Sequence, residues 1–300
     1  QVKQLVEKSG LTDTSRLYYF NIQDVGGTRA SIELAREKIL DMARSHPRAE
    51  RQPSPLSNLT VALQCGGSDG YSGITANPAL GHAADLIVKH GGSVILSETP
   101  EIYGAEHLLL DRAISKDVAS KLLDRIAWWK HYTEINGAEL NNNPSPGNKA
   151  GGLSTILEKS LGAVAKGGST SLNDVLEYAQ PRTQPGFNFM DSPGYDPVSV
   201  TGQIASGSNM VCFTTGRGSV SGYKPAPSIK LATNTAMYER MSEDMDINCG
   251  VIADGMASVE EVGEMIFERI IAVASGESSA SETLGYGNNE FVPWMVGAVT

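Results

Sequence analysis

Leu59-Thr60-Val61-Ala62-Leu63, followed by Gln64-Cys65-Gly66-Gly67-Ser68-Asp69-Gly70-Tyr71-Ser72-Gly73, is the stretch that decides the fold. The first five residues are apolar or β-branched, the composition of a strand covered on both faces. The next ten include four glycines, which let backbone turn sharply or approach a ligand closely. Residues 77–90 then have helical spacing, with Pro78 suited to a first turn and Gly91-Gly92 to a stop. Residues 93–96 form the next strand and run into Ser97-Glu98-Thr99-Pro100-Glu101. Strand, glycine loop, helix and strand in this order make a parallel crossover unit.

The same theme extends in both directions. Toward the start, residues 17–22 read as a strand and Gln23-Asp24-Val25-Gly26-Gly27-Thr28 as its loop. A helix with an apolar stripe (Ile32, Leu34, Ala35, Ile39, Leu40, Met42) follows, then a Pro-, Arg- and Ser-rich linker over 45–57. Toward the end, a long helix over 116–132 carries Val118, Leu122, Ile126 and Trp129 on one face. Residues 187–190, 209–213 and 228–232 read as strands, with a helix between the first two that runs to about residue 206. A last helix over 259–274 follows Ser258, with Glu261 at capping-box spacing. The expectation is an α/β fold of mostly parallel sheets built from repeated strand–loop–helix units, in two lobes. Residues 1–57 would be an N-terminal strand–helix segment and linker, 58–180 a first lobe, and 181–300 a second lobe with the C-terminal helix. Ligands of such sheets sit at the carboxyl ends of strands. The loops 65–72, 98–101, 191–196 and 214–218 are therefore candidates for one common rim.

Composition narrows the partners. The chain has 300 residues, 40% hydrophobic and 19% charged, with a formal charge of −10. That is a folded core, and an acidic surface ill-suited to nucleic acid or an anionic membrane. No apolar run approaches the roughly 20 residues of a membrane helix. Gln1 is not an initiator Met, so the chain reads as truncated or processed. Cys65, Cys212 and Cys249 are an odd, widely spaced set without a CxxC pair, which favours a reducing compartment, here the cytoplasm, over a disulfide framework or structural zinc.

Several segments carry chemistry. Gly26-Gly27-Thr28 and Gly66-Gly67-Ser68 could offer N–H groups to an anion, or be ordinary turns; neither completes a P-loop or a dinucleotide fingerprint. Thr214-Thr215-Gly216-Arg217-Gly218 sets two hydroxyls and a guanidinium among glycines, a fork for a carboxylate or phosphate, or simply an arginine that ties its loop. Glu98, Glu101, Glu106 and His107 cluster after a strand, as metal ligands, acid–base groups or solvated residues. The segment 141–152 holds Asn142, Asn148 and Lys149 among other amides and glycines, a composition suited to a polyhydroxylated ligand or to a solvated loop.

Taken in order, Cys65-Gly66-Gly67-Ser68-Asp69, Ser72-Gly73-Ile74-Thr75-Ala76-Asn77-Pro78, Ser97-Glu98-Thr99-Pro100-Glu101, Pro146-Gly147-Asn148-Lys149-Ala150-Gly151-Gly152, Phe213-Thr214-Thr215-Gly216-Arg217-Gly218 and Met245-Asp246-Ile247-Asn248 resemble the altronate/galactarate dehydratase family. Glu290-Phe291-Val292-Pro293-Trp294, the glutamate motif and Cys249 are closest to its altronate branch. The resemblance implies iron-dependent removal of water from a sugar acid by the C-terminal catalytic region. A small N-terminal domain usually precedes that region, and a homo-oligomer is expected. The related large subunit of sulfolactate sulfo-lyase shares the motifs, keeps its small domain on a separate polypeptide and releases sulfite. A non-catalytic sugar-acid binding module is the reading from another class.

Residue chemistry then suggests roles. Loss of the C2 proton and C3 hydroxyl of a 2,3-dihydroxy acid needs electrostatic stabilisation of the intermediate. A divalent metal, Fe(II) first, would sit on Cys65, Glu98 and Glu101 as a Lewis acid. His107 or a Lys149 of lowered pKa would be the base, and Glu98 or Asp69 would protonate the leaving hydroxyl. Ser68, Asn142, Asn148, Thr214, Thr215 and Arg217 would bind substrate. An iron–sulfur cluster on all three cysteines is the less favoured arrangement, because Cys212 falls inside a strand and suits the core.

Overall fold

The computed structural model describes residues 2–15, 17–45, 50–140 and 144–300. The chain divides into two compact units, Gln1–Pro53 and Ser54–Thr300. The first unit contains helices α1 (Val2–Ser9), α2 (Ile22–Val25) and α3 (Thr28–Ser45). The strand expected over 17–22 does not form. Tyr18, Tyr19 and Phe20 lie exposed, no strand pairs with them, and unpaired strand backbone is not stable alone. Ile22 instead starts a single helical turn that Gly26 ends at φ +99°, leaving the expected loop to connect two helices.

The second unit is a seven-stranded, all-parallel sheet. Its strands are β1 (Thr60–Cys65), β2 (Ser93–Ser97), β3 (Leu172–Leu176), β4 (Gly186–Met190), β5 (Met210–Thr215), β6 (Ser228–Ala232) and β7 (Ile247–Asn248). They lie in the order β3-β4-β2-β1-β5-β6-β7. Between them run α4 (Ala76–Lys89), α5 (His107–Leu110), α6 (Lys116–Ile135), α7 (Pro146–Ala150), α8 (Ile156–Ala165), α9 (Asp196–Ala205) and α10 (Thr235–Arg240). The helices α11 (Val259–Ala274) and α12 (Ala280–Thr283) follow the last strand. The expected pair of lobes does not appear as two sheets. β4, from the later part of the chain, lies between β3 and β2, and β5 pairs directly with β1. β3 and β7, which the sequence did not reveal, are edge strands with too little alternation to read.

Alternation along the strands assigns the two faces. Val61, Leu63, Val94, Leu96, Cys212 and Ile229 join Leu80, Ile87, Leu122, Ile266 and Ile270 in the main core. Ala62 and Val211 turn to the opposite face and pack on Val200 of α9. Cys212 and Cys249 both belong to the main core, and burial pushes both thiols up. Among the described residues no helix is long and apolar enough to cross a membrane.

One core residue breaks the apolar pattern. Lys230, in the middle of β6, is fully buried; its Nζ donates to the Ser219 carbonyl at 2.9 Å and lies near the Phe213 and Tyr286 rings. Burial lowers it to about 8, against the pull of Asp244, Asp246 and Glu290. The unfolded chain therefore binds the Lys230 proton more tightly than the folded one, and stability rises with pH between about 8 and the ordinary lysine value near 10.4. Denaturant titrations across that window should show a gain on the order of 2–3 kcal/mol in the wild type that is missing in Lys230→Met.

Candidate functional site

The winding direction of the sheet reverses at β1, which has β2 on one side and β5 on the other. A crevice opens at such a switch, at the carboxyl ends of the strands. A cavity of ≈ 270 Å³ lies there, lined by Gly66, Gly67 and Ser68 after β1, Glu101 after β2, Gly194 and Asp196 after β4, and Arg217 after β5. Ser145, Pro146 and Asn148 of the α7 start, Lys159 of α8 and Thr300 complete the wall. This volume is near the lower end of the roughly 300–1,000 Å³ usual for small-molecule sites.

Parallel register brings the chemistry together. Leu63 pairs with Leu96, so the ends of β1 and β2 deliver Cys65 and Glu98 side by side. Glu98 has φ +72° and ψ +75°, a left-handed backbone that costs a non-glycine residue on the order of 1–3 kcal/mol. Neighbours hold it there: its N–H donates to Ser192 Oγ at 3.0 Å, and the Thr99 N–H donates to the Ser192 carbonyl at 3.1 Å. Asp191 adds a second tie, accepting from Thr99 Oγ1 and from Trp129 Nε1 at 2.8 Å. The single turn Thr99–Ile102 then carries Glu101 back toward β1. Ligand atoms of Cys65, Glu98 and Glu101 come within 4.8 Å of one another, all three residues buried. Among the described residues no hydrogen-bond donor reaches either carboxyl oxygen of Glu98.

Two lysines face this triad. Lys159 pairs with Glu101, and Lys166, just past the end of α8, donates to Cys65 Sγ at 2.8 Å. Cys65 Sγ in turn lies 3.4 Å from Glu101 Oε2. Burial opposes ionisation of Glu101, but Lys159 and Lys166 outweigh it and hold the carboxyl at about 2. Burial raises Glu98 well above the usual carboxylate range, and the neighbouring Glu101 and Asp196 charges raise it further. Burial and Glu101 push the Cys65 thiol up to about 12. Burial works against the charge on both lysines, yet their anionic neighbours hold both above the ordinary value. With Arg217 at the mouth, the cationic groups exceed the ionised carboxylates, and the cavity attracts an anion.

The other expected residues fall into three groups. Ser68, Asn148 and Arg217 line the cavity. Asn148 is also a brace: its Nδ2 donates to the Ser68 carbonyl at 3.0 Å and its Oδ1 accepts from Ser145. The Arg217 guanidinium packs over Gly147, where a Cβ would come within 2.1 Å. Thr214, Thr215 and Asp69 are spent on internal bonds. Thr214 donates to Asn77 Oδ1, Thr215 Oγ1 accepts from the Gly218 N–H, and Asp69 accepts from Ser72, Thr233 and Asn234. Asp69 therefore clamps the loop after β6 to its own loop after β1, Asn234 reaches on to the Gly216 carbonyl after β5, and Asp69 does not line the cavity. His107 and Lys149 are exposed, on α5 and α7, and neither lines the cavity; closeness in sequence to Glu101 or Asn148 does not turn a helical side chain inward. Asn142 lies outside the described residues. The sequence reading missed Lys159, Lys166 and Asp196 as individual site residues. Lys159 and Lys166 lie seven apart, two turns on one helix face, and that spacing was the available signal.

The buried Lys159–Glu101 pair sets the stability of the site. Lys159→Met should cost roughly 3–5 kcal/mol by leaving a carboxylate buried and poorly compensated. Lys159→Met combined with Glu101→Gln should recover most of that loss. Chemical denaturation of the four proteins of the cycle measures it, and additive losses would show that the pair is not coupled.

Residues 56–299 match the family model described as D-galactarate/altronate dehydratase, C-terminal. The chain is 43% identical over 245 residues to galactarate dehydratase (L-threo-forming) of Escherichia coli (strain K12), covering 80% of this chain and 47% of that protein. It is 42% identical over 228 residues to altronate dehydratase of Bacillus subtilis (strain 168), covering 76% and 46%. It is 34% identical over 273 residues to (2R)-sulfolactate sulfo-lyase subunit beta of Chromohalobacter salexigens, covering 89% and 69%. The chain thus spans about half the length of the two dehydratases. A match over nearly all of the second unit, on the sheet whose strand ends carry the cavity, means that the chain belongs to the D-galactarate/altronate dehydratase C-terminal family.

Proposed function

We propose that this chain supplies the catalytic cavity of a hydro-lyase that converts an altronate-like aldonate or aldarate to a 2-keto-3-deoxy acid. One observation carries the reading: a cavity walled by the cationic Arg217 and Lys159 and by Glu101 adjoins a buried sulfur–oxygen–oxygen donor set in which Glu101 joins Cys65 and Glu98. The names of the two dehydratase relatives support the substrate class. The donor set also suits a divalent metal, Fe(II) first. Glu98 offers two buried oxygens that no protein donor satisfies, and a thiolate with two carboxylates suits a borderline-soft cation. When bound, such an ion acts as a Lewis acid on the substrate's carboxylate and hydroxyl oxygens. The protein's part is to hold the substrate. Arg217 has no acceptor of its own among the described residues and pairs the carboxylate as a fork. Ser68 and Ser145, which line the cavity, face the sugar hydroxyls.

A sulfo-lyase reading has its own support in the third relative, whose name makes it one subunit of an assembly. A small domain or small subunit beside this chain, and a homo-oligomer, belong to the same proposal. So does a cytoplasmic location, which three free thiols favour. Incubation of the anaerobic, Fe(II)-loaded full-length protein with altronate, galactarate and sulfolactate separates the readings. Appearance of a 2-keto acid without sulfite supports dehydration; sulfite release supports the alternative; binding without turnover supports a binding module.

Three variants test the assignments. Arg217→Lys should raise KM on the order of 10- to 100-fold with little change in Tm, since an ammonium does not reproduce a bidentate contact. Cys65→Ala should lose bound iron and most activity, while Cys212→Ala, in the core, should keep activity within an order of magnitude. Iron content by elemental analysis reads the first effect independently of turnover. Equal iron in wild type and Cys65→Ala would remove the thiol from the metal set.

A further inference from the structure

Dehydration needs a group that takes the C2 proton, and the cavity's own side chains narrow the choice. A guanidinium such as that of Arg217 has donors only and no acceptor for a proton. Lys159 is held as an ammonium on Glu101. Glu101, flanked by two ammonium groups, is too weak a base. Asp196 is the remaining carboxylate in the wall. It is the first residue of α9, and its Oδ2 lies so close to Gly66 that a Cβ there would come within 2.0 Å. Glycine at position 66 is what lets this carboxyl reach the end of β1. Apart from its own backbone N–H, no hydrogen bond or ion pair engages the Asp196 carboxyl among the described residues. The structure spends the other buried acids on partners or on the triad, and leaves this one free at the cavity.

Resting on the dehydratase reading above, we propose that Asp196 takes the substrate's C2 proton and hands it to the leaving hydroxyl. The C2–H electron pair becomes the C2–C3 π bond and the C3–O bond breaks. The departing oxygen carries the transferred proton away as water, which regenerates the carboxylate. The enol then moves its hydroxyl proton to C3 through solvent, giving the 2-keto-3-deoxy acid without any added oxidant or reductant. Electrostatics agree with this role. Burial, and then the charge of Glu101, push Asp196 up to about 7, while Lys159 and Lys166 pull it down. Glu98 and Tyr223 also face it. A base poised near the working pH balances ionisation against basicity.

The test uses Asp196→Asn and Asp196→Glu in the full-length, iron-loaded protein, with galactarate and altronate as substrates. The expected result for Asp196→Asn is a kcat lowered on the order of 10²- to 10⁴-fold. Iron content, Tm and calorimetric substrate affinity should stay close to wild type. In the wild type, kcat/KM should fall as pH drops below about 7; Asp196→Glu should recover part of kcat and shift that limb. Asp196→Asn that keeps kcat within tenfold overturns the assignment, as does one that loses affinity and iron in step with activity, which marks a structural role. Should Asp196→Asn fail to fold, Asp196→Glu decides: unchanged kcat with an unmoved pH limb overturns the assignment. A wild type that neither binds nor converts any sugar acid overturns the dehydratase reading and this assignment together. An active wild type with an indifferent Asp196→Asn overturns this assignment alone.

Discussion

The buried contact of Glu101 with Lys159 and Lys166 is the interaction on which the rest of the site depends. A carboxylate removed from water is tolerated only when it is paired, and here two ammonium groups from one helix do the pairing. That fixes α8 against the loop after β2. Its charge also acts on its neighbours: burial first, and then the charge of Glu101, push Glu98, Cys65 and Asp196 toward their protonated forms. One ionised group thus sets the others up as potential donors of protons or, once deprotonated, of ligand atoms.

Backbone geometry makes this cluster possible. Strand register levels the ends of β1, β2 and β5, and a left-handed residue at Glu98 turns the chain so that two carboxylates three positions apart face the same thiol. The strain at Glu98 is held by Ser192 and Thr99, residues with no direct part in the chemistry. Asp69 does comparable work on the other side, tying the loop after β6 to its own loop after β1 through one carboxyl group.

Much of this was legible in the sequence, for physical reasons. Buried parallel strands are written as short apolar runs, and 228–232 and 259–274 were readable to the residue because alternation, caps and glycine stops agreed. Cys65, Glu98 and Glu101 were legible as a group because Cys65 ends one strand of the sheet and the two glutamates lie just past the end of the next. Lys159 and Lys166 were not. A lysine on a helix is ordinarily solvated, and only the docking of α8 buries these two. His107 and Lys149 lie outside the cavity wall for the converse reason: chemistry-bearing side chains near a motif need not point where the motif points. The strand expected over 17–22 failed because an aromatic, β-prone run forms a strand only when another strand is there to receive it.

The strand order has a consequence for how the polypeptide reaches its native state. β1 is central, yet one of its partners, β5, is synthesised about 150 residues later, and β2 waits in the same way for β4, which joins it to β3. Loop-closure entropy delays such distant pairings. Until β5 arrives, the growing chain carries a hydrophobic central strand with one open hydrogen-bonding edge, the kind of edge that recruits strands from other chains. The same wiring that gathers four strand ends around one cavity therefore makes nascent chains dependent on speed, dilution or chaperone cover.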